Sequence, residues 1–453
     1  MDNLPKTNAE WTALAAQYDL RQPVQRRASL VPERGEGIYM WDVEGNRYID
    51  FQSGQLCLTL GHSHPEYVEA VCEQARKIIQ TGSSFSAPSE VLLAKKIAEL
   101  TPEPLKRTFF ACSGSESVEA ALRLAKKYTG RHEIVALVNG YHGQTAGSAA
   151  ITGRGAVLRD GYGASVPDVS FIPTPYPYRC HFCQDKGGCT KTCAEYAEEI
   201  IDFTTSGEPA ALFYEPMLST AGQVVPSVQW TQEMRRICDE RGMLMVADEA
   251  LTGFGRTGKW FGFEHFGVVP DILACSKGLG GGVPLCSVTT SDEIADVALE
   301  KGYLQSSSHS GDPLLCAVGL KNLEIVEREN LVDNARVVGA YMESKLKRME
   351  EDYEIVGEAR GLGLCLGLEM VTDKKTRTPN VDAAAAVTQY CFEQMLWIAM
   401  GKPPENEEER KMGGRFGSHI IRFMPPISIT EEQVDEALEI IESGIKKAQD
   451  KTG

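Results

Sequence analysis

Five short apolar runs separated by longer amphipathic stretches constrain this chain more than any other feature. KRTFFACS (106 to 113), HEIVALVNG (132 to 140), PAALFYEP (209 to 216), GMLMVADEA (242 to 250) and DILACS (271 to 276) read as buried strands, since short, nearly continuous apolar runs suit a sheet covered on both faces. Between them, 116 to 128 and 231 to 241 read as helices; in the first, Ala120, Leu122 and Leu124 stand among charges. Strand and helix in alternation predict an α/β fold with a large, mainly parallel sheet. Sites in such sheets lie beyond the carboxyl ends of the strands. Ser113, Glu215, Asp248 and Lys277 all sit at or just past those ends, so they are expected to converge.

At 453 residues the chain exceeds the size at which a single core keeps growing. Its texture changes after residue 336. YEIVGEARGLGLCLGLEMV (353 to 371) reads as a glycine-rich strand pair. In 417 to 448, a strand, a turn at Pro425 and Pro426, and a helix capped at Thr430 follow one another. The expected division is an N-terminal segment (1 to 75) contributing to a small domain, a large domain (76 to 335) and a C-terminal small α+β domain (336 to 453), with a polar insert at 401 to 414.

A net charge of −17 argues against a nucleic-acid surface, which needs clustered Lys and Arg, and favours small-molecule partners. Thirteen cysteines, an odd count, together with an amino terminus that has no apolar stretch after a basic start, predict reduced thiols in a cytoplasmic chain. No apolar run approaches the roughly 20 residues needed to span a bilayer, so no membrane partner is expected.

Three strand ends carry the chemistry. ACSGSESVEAALRLAKKY enters a helix at Ser113, Gly114 and Ser115, whose hydroxyls and free amides suit an anion. The same residues also fit a plain capping box, because Glu116 follows Ser113 by three. Asp248 and Glu249 follow five apolar residues; a solvated loop explains Glu249, whereas Asp248 suits the partner of a buried cation. Lys277 is followed by four glycines within five residues. Among glycine and apolar neighbours a lysine loses solvation and becomes a usable amine nucleophile. A phosphate site, a strand-end aspartate and a strand-end lysine are what pyridoxal phosphate needs: one holds the phosphate, one keeps the pyridine nitrogen protonated, one bonds the aldehyde carbon.

VADEALTGFGRTG and PDILACSKGLGGGVPL, with NGYHGQT upstream and EARGLGL downstream, resemble the class III aminotransferases of fold type I over nearly the whole chain. The resemblance implies a large mainly parallel-sheet domain with a smaller α+β domain built from the chain ends. It implies Lys277 as the residue covalently joined to pyridoxal phosphate, Asp248 as the pyridinium partner, Ser113, Gly114 and Ser115 as the phosphate cup, and Tyr141 stacked on the ring. His142, Glu215 and Leu251 stand with the cofactor and Ser219 with the substrate. Ser308, in SSSHSGDP, matches the hydroxyl that reaches the phosphate of a neighbouring subunit, so a homodimer or tetramer with a shared active site is expected.

Within the family, DFQSGQLCLTLGHSHP (50 to 65) is similar to the 2,2-dialkylglycine decarboxylases. By that similarity Gln55 donates to the substrate carboxylate in the bond-breaking position, and Arg422, in IIRFMPP, clamps the carboxylate. Read locally, Gln55 caps a turn after Gly54 and Arg422 forms a structural ion pair. Tyr141 replaces a tryptophan, Gln144 an apolar residue, and Leu251 a glutamine of those enzymes. The expectation is decarboxylation coupled to amino transfer from an α,α-dialkyl or simple amino acid to a 2-oxo acid such as pyruvate. The alternative is an ω-amino acid or amine aminotransferase in which Gln55 and Arg422 only bind substrate.

YRCHFCQDKGGCTKTC offers Cys180, Cys183, Cys189 and Cys193 as thiolate ligands for zinc in an interaction module, the first pair at ligand spacing. The short intervening loop and similar cysteine-bearing loops in class III relatives favour no metal here. His62 and His64 read as turn residues.

Overall fold

The computed structural model describes residues 4–20, 30–154, 168–183, 192–399, 406–408, 411 and 417–450. The expected insert at 401 to 414 therefore lies largely outside the described residues, as does Cys189. The chain forms two compact units, Met1–His64 with Val337–Gly453, and Pro65–Arg336. The helix Pro65–Lys77 packs against the helix Pro313–Arg328 of the second unit, so that unit begins ahead of the expected boundary at residue 75.

Fourteen strands are described: β1 (Pro32–Glu36), β2 (Tyr39–Asp42), β3 (Arg47–Asp50), β4 (Arg107–Ala111), β5 (Ile134–Leu137), β6 (Val169–Ile172), β7 (Ala211–Tyr214), β8 (Leu244–Asp248), β9 (Ile272–Cys275), β10 (Cys286–Thr290), β11 (Val356–Leu362), β12 (Cys365–Met370), β13 (Leu396–Trp397) and β14 (Ile420–Phe423). The second unit holds a seven-stranded sheet in the order β4-β10-β9-β8-β7-β5-β6. Only β10 runs against the others, pairing antiparallel with both β4 and β9.

The apolar runs became strands because both sheet faces are covered. Every residue of β5, β7, β8 and β9 is buried. One face packs on a core that includes Leu212, Tyr214, Trp230, Met245 and Leu273. The other packs on one that includes Val118, Ala121, Leu122, Phe213 and Val246. The helix Gly114–Thr129 places Val118, Ala121, Leu122 and Ala125 on this second core and closes at Gly130, whose φ of 73° is left-handed. β10 escaped the sequence reading because Ser287, Thr289 and Thr290 interrupt its apolar pattern. Those side chains are nonetheless buried, and Thr289 Oγ1 meets Thr108 Oγ1 of β4 at 2.9 Å.

In the first unit, β1-β2-β3-β13 form one sheet and β11-β12-β14 another. The glycine-rich segment is the antiparallel pair β11 and β12. The helix Glu431–Asp450 is capped by Thr430, whose Oγ1 accepts Gln433 N at 3.3 Å while Gln433 Oε1 accepts Thr430 N at 3.1 Å. Gln433, rather than an acidic residue, completes that box.

The loop following β8 is fixed by three buried rings. Phe261 stacks on Phe263 at 5.6 Å and 7°, and meets Phe254 edge-on at 5.4 Å. Phe261→Ala is expected to lower the unfolding free energy by about 3–5 kcal/mol, from lost transfer energy plus an unfilled cavity; urea titration followed by tryptophan fluorescence measures it.

Candidate active site

The carboxyl ends of β5, β7, β8 and β9 lie side by side in the second unit, and each delivers a polar residue. Lys277 follows β9 with φ at 42°, a left-handed conformation for a non-glycine residue, which costs on the order of 1–3 kcal/mol. The turn is held by Leu279 N donating to Ser276 O at 3.0 Å and by Gly280 N and Gly281 N donating to Lys277 O at 3.1 and 3.3 Å. Tyr67 Oη donates to Gly280 O at 2.6 Å, and Asn322 Nδ2 to Gly278 O at 2.8 Å. A Cβ on Gly280 would stand 2.1 Å from Val283 O. The glycines after Lys277 thus fold the backbone on itself where a side chain does not fit. The lysine is half-buried, and its ammonium has no hydrogen-bond or ion-pair partner among the described residues.

Asp248 closes β8 and is 5% exposed. One oxygen accepts Ala250 N at 3.0 Å; the other lies 2.7 Å from His142 Nδ1. A carboxylate only accepts, so Nδ1 bears the proton of that bond. Burial pulls the His142 pKa down, but the hydrogen bond and charge of Asp248, then the charge of Glu215, outweigh it and hold it above the ordinary histidine value. His142 Nε2 is buried and has no hydrogen-bond partner among the described residues. The backbone of His142 is set by its N–H on Thr152 Oγ1 at 3.0 Å, and its ring meets Phe213 edge-on.

Glu215 follows β7 and is buried. Its Oε1 accepts Tyr141 N at 2.9 Å and its Oε2 accepts Ser219 N at 3.1 Å. Burial pushes its pKa up to about 7; His142 pulls against that rise, Asp248 adds to it, and the two N–H groups oppose it. Ser219 and Leu251 are also buried, on the loops after β7 and β8.

At the end of β4 the capping-box reading of the serine run holds. Ser113 Oγ accepts Glu116 N at 3.3 Å, and the Glu116 carboxylate takes Ser113 N at 2.9 Å and Cys112 N at 3.2 Å, a complete capping box. The amides of Gly114 and Ser115 make no hydrogen bond among the described residues. A Cβ on Gly114 would lie 2.9 Å from Ser276 Oγ, so these amides open beside the Lys277 turn. Ser115 Oγ accepts Gln144 N at 3.2 Å, joining the helix start to the Tyr141 loop. Two free amides at a helix start, a buried aspartate and a partner-free lysine fit the phosphate, ring nitrogen and aldehyde of pyridoxal phosphate.

Some residues departed from expectation. Glu249 is not solvated: it is fully buried, with Oε1 accepting Phe263 N at 2.7 Å and Oε2 accepting Gly262 N at 2.9 Å and the Thr252 hydroxyl. Burial nevertheless pushes its pKa up to about 7. Arg154 went unnoticed, because it follows a short irregular stretch with no periodicity. Its Nη1 donates to Thr220 O at 2.6 Å, and its charge bears on Glu215 and Tyr141. Ser308 is exposed, and its carbonyl accepts Gln80 Nε2 at 2.7 Å. Cys180, Cys183 and Cys193 are buried in the main core. Among the described residues no group of three or more His, Cys, Asp or Glu is placed to hold a metal.

Gln55 and Arg422 belong to the first unit. Gln55 is exposed, and its side-chain amide has no hydrogen-bond partner among the described residues, so it does not cap the turn. That turn is left-handed at Ser53, Gly54 and Leu56, with φ of 44, 64 and 65°. Asp50 holds it by accepting Gln52 N at 3.0 Å and Gly54 N at 2.7 Å, with His62 Nε2 at 2.8 Å. Gln52 Nε2 donates to Arg422 O at 2.7 Å and Ser53 Oγ to Met424 O at 2.5 Å, tying the turn to the end of β14.

The class-III aminotransferase family profile matches residues 22–445. The chain is 36% identical to an uncharacterized aminotransferase of Schizosaccharomyces pombe over 413 residues, covering 91% of this chain and 89% of that one. It is 33% identical to the leucine/methionine racemase of Thermococcus litoralis over 425 residues, covering 93% and 92%. A transaminase from the marine bacterium Virgibacillus superposes with a TM-score of 0.88 at 31% identity, over 98% of this chain and 100% of that one. An amine transaminase from an uncultivated Pseudomonas species, solved with PLP bound, superposes at 0.84 and 30%, over 96% and 98%.

Because the folded pKa of Glu249 is raised, its contribution to stability is full below the unfolded carboxylate value and fades as pH rises toward 7. Glu249→Gln is expected to be less stable than the parent at pH 5, and the gap to narrow by pH 8 as the parent ionises a buried carboxyl. Urea unfolding of both proteins at the two pH values measures it.

Proposed function

Because the chain belongs to the class III aminotransferases, we propose that it moves the amino group of an amine or ω-amino acid to a small 2-oxo acid such as pyruvate, without decarboxylation. The cofactor is pyridoxal phosphate. The observation that carries this reading is the partner-free, half-buried Lys277 amine at the strand end next to the Asp248–His142 pair. The names of its relatives, aminotransferases, transaminases and racemases, support amino transfer over the decarboxylation expected from Gln55.

The Gly114 and Ser115 amides would hold the phosphate, Asp248 the ring nitrogen, the Tyr141 ring the face of the pyridine, and Lys277 the aldehyde carbon. When bound, the group supplies an electron-withdrawing ring that accepts negative charge from the substrate carbon. Asp248 would accept a hydrogen bond from the protonated ring nitrogen, and His142, donating from Nδ1, would orient the Asp248 carboxylate. Lys277 Nζ, once free of the aldehyde, would be the group to take the proton from the substrate carbon bearing the amino group and later to release it. Arg422 is proposed to bind the substrate carboxylate, and Ser308 to complete the phosphate site of a second copy in a homodimer.

One observation favours a second reading: the unpartnered Gln55 amide, on a strained turn tied to the strand of Arg422, suits a donor to a departing carboxylate. A donor panel of 1-phenylethylamine, β-alanine and 2-aminoisobutyrate with pyruvate, read for alanine and for carbon dioxide, separates the two. Alanine from the first two without gas is expected. Gas released in step with alanine from 2-aminoisobutyrate would install decarboxylation instead.

Lys277→Ala is expected to lower turnover by at least about a hundredfold, the lower range for a positioned proton-transfer group, and to remove the visible absorbance that borohydride bleaches. Retention of both by the variant contradicts the assignment.

A further inference from the structure

We propose that Glu215 is a positioning residue whose ionised carboxylate clamps the Tyr141 backbone to the loop after β7, so that the stance of the Tyr141 ring depends on that carboxylate being charged. The proposal deepens the reading above, since it takes Tyr141 to lie against the bound cofactor.

The loop after β5 is fixed at several points; the Tyr141 hydroxyl meets the Gln144 side chain, and among the described residues its backbone N–H is held by Glu215. Gly140 N donates to Leu137 O at 3.0 Å, His142 N to Thr152 Oγ1 at 3.0 Å and Gln144 N to Ser115 Oγ at 3.2 Å. Tyr141 N donates to Glu215 Oε1 at 2.9 Å. The other oxygen of the same carboxylate takes Ser219 N at 3.1 Å. Glu215 is 7% exposed, so little water is at hand to replace either bond.

An ionised carboxylate accepts at both oxygens, whereas a protonated one turns an oxygen into an O–H donor. A donor there would face the N–H of Tyr141 or Ser219, and one side of the clamp would open. The charged and titratable groups facing Glu215 are His142 and Tyr141 on the loop after β5, Asp248 at the end of β8, and Arg154. His142 and Arg154 favour the anion and Asp248 disfavours it. With burial dominant, half-ionisation falls at about 7.

Amide hydrogen exchange of the full chain, corrected for intrinsic rates, tests the clamp directly. Between pH 6 and 8 the ionised fraction of a group with that midpoint rises roughly tenfold, so protection of the Tyr141 and Ser219 amides is expected to rise by about that factor. In Glu215→Gln it should be lower and flat with pH. The visible circular dichroism of the holoenzyme, which reports the cofactor's surroundings, is expected to follow the same curve in the parent and to lose its pH dependence in the variant, with kcat falling more than KM rises. Pyridoxal-phosphate content equal to the parent's accompanies this outcome. Parent protection that does not change between pH 6 and 8 overturns the proposal, whether or not the variant folds; so does a variant that keeps the parent's profile. A colourless parent protein would sink the functional reading instead, and the exchange result would still stand on the chain alone.

Discussion

A sheet covered on both faces tolerates polar chemistry only where its strands end. Every residue of β5, β7, β8 and β9 is buried, and an unpaired charge placed within them has no water to compensate it. Polar residues are thereby displaced to the carboxyl ends, where the loops turn away. Six of the seven strands run in one direction, so those ends fall along one edge. Tyr141, His142, Glu215, Asp248 and Lys277 meet because the hydrophobic pattern leaves them nowhere else.

Convergence alone does not give each group its charge. Asp248, Glu215 and His142 share a buried space in which two carboxylates compete for one imidazole. Asp248 takes the direct 2.7 Å bond to His142, whereas Glu215 is held by backbone N–H groups and has its pKa pushed up by burial to about 7. Glu249, one residue beyond Asp248, is given to structure: its oxygens hold the loop that carries Phe261 and Phe263, and that loop in turn fixes the end of β8.

The sheet was legible because its signal is local. Runs such as 244 to 248 contain no polar residue until the strand closes at Asp248. β10 was hidden because Thr289 Oγ1 meets Thr108 Oγ1 of β4 and Thr290 Oγ1 donates to Asp271 O, partners that no one-dimensional pattern reveals. Lys277, Asp248 and Ser113 to Ser115 announced themselves through spacing and neighbours. Glu249 did not, since a strand-end acid looks solvated until the returning chain at Gly262 and Phe263 supplies its donors from 13 and 14 residues away. Arg154 and Thr152 were equally silent, because each acts on a residue from another loop or a distant turn. The capping box at Ser113 shows a different limit: the same signature reads as a cap and as an anion site, and the structure shows the side chains capping while the Gly114 and Ser115 amides have no hydrogen bond among the described residues.

Away from this sheet, the first unit spends strain of its own. Ser53 and Leu56 adopt left-handed φ without being glycine, at about 1–3 kcal/mol each. A turn that merely reversed the chain would have no need of them, since glycine or asparagine serves without the penalty. Such strain persists where the surroundings over-determine it, and here they do. Asp50 receives Gln52 N and Gly54 N, Gln52 Nε2 binds Arg422 O, and Ser53 Oγ binds Met424 O. The turn and the end of β14 are therefore one structure, joined by the Gln52 and Ser53 side chains to the carbonyls of Arg422 and Met424. Neighbours coupled in this way are non-additive under mutation. A change at both Gln52 and Ser53, rather than at either alone, accordingly reports what this corner of the fold contributes to stability.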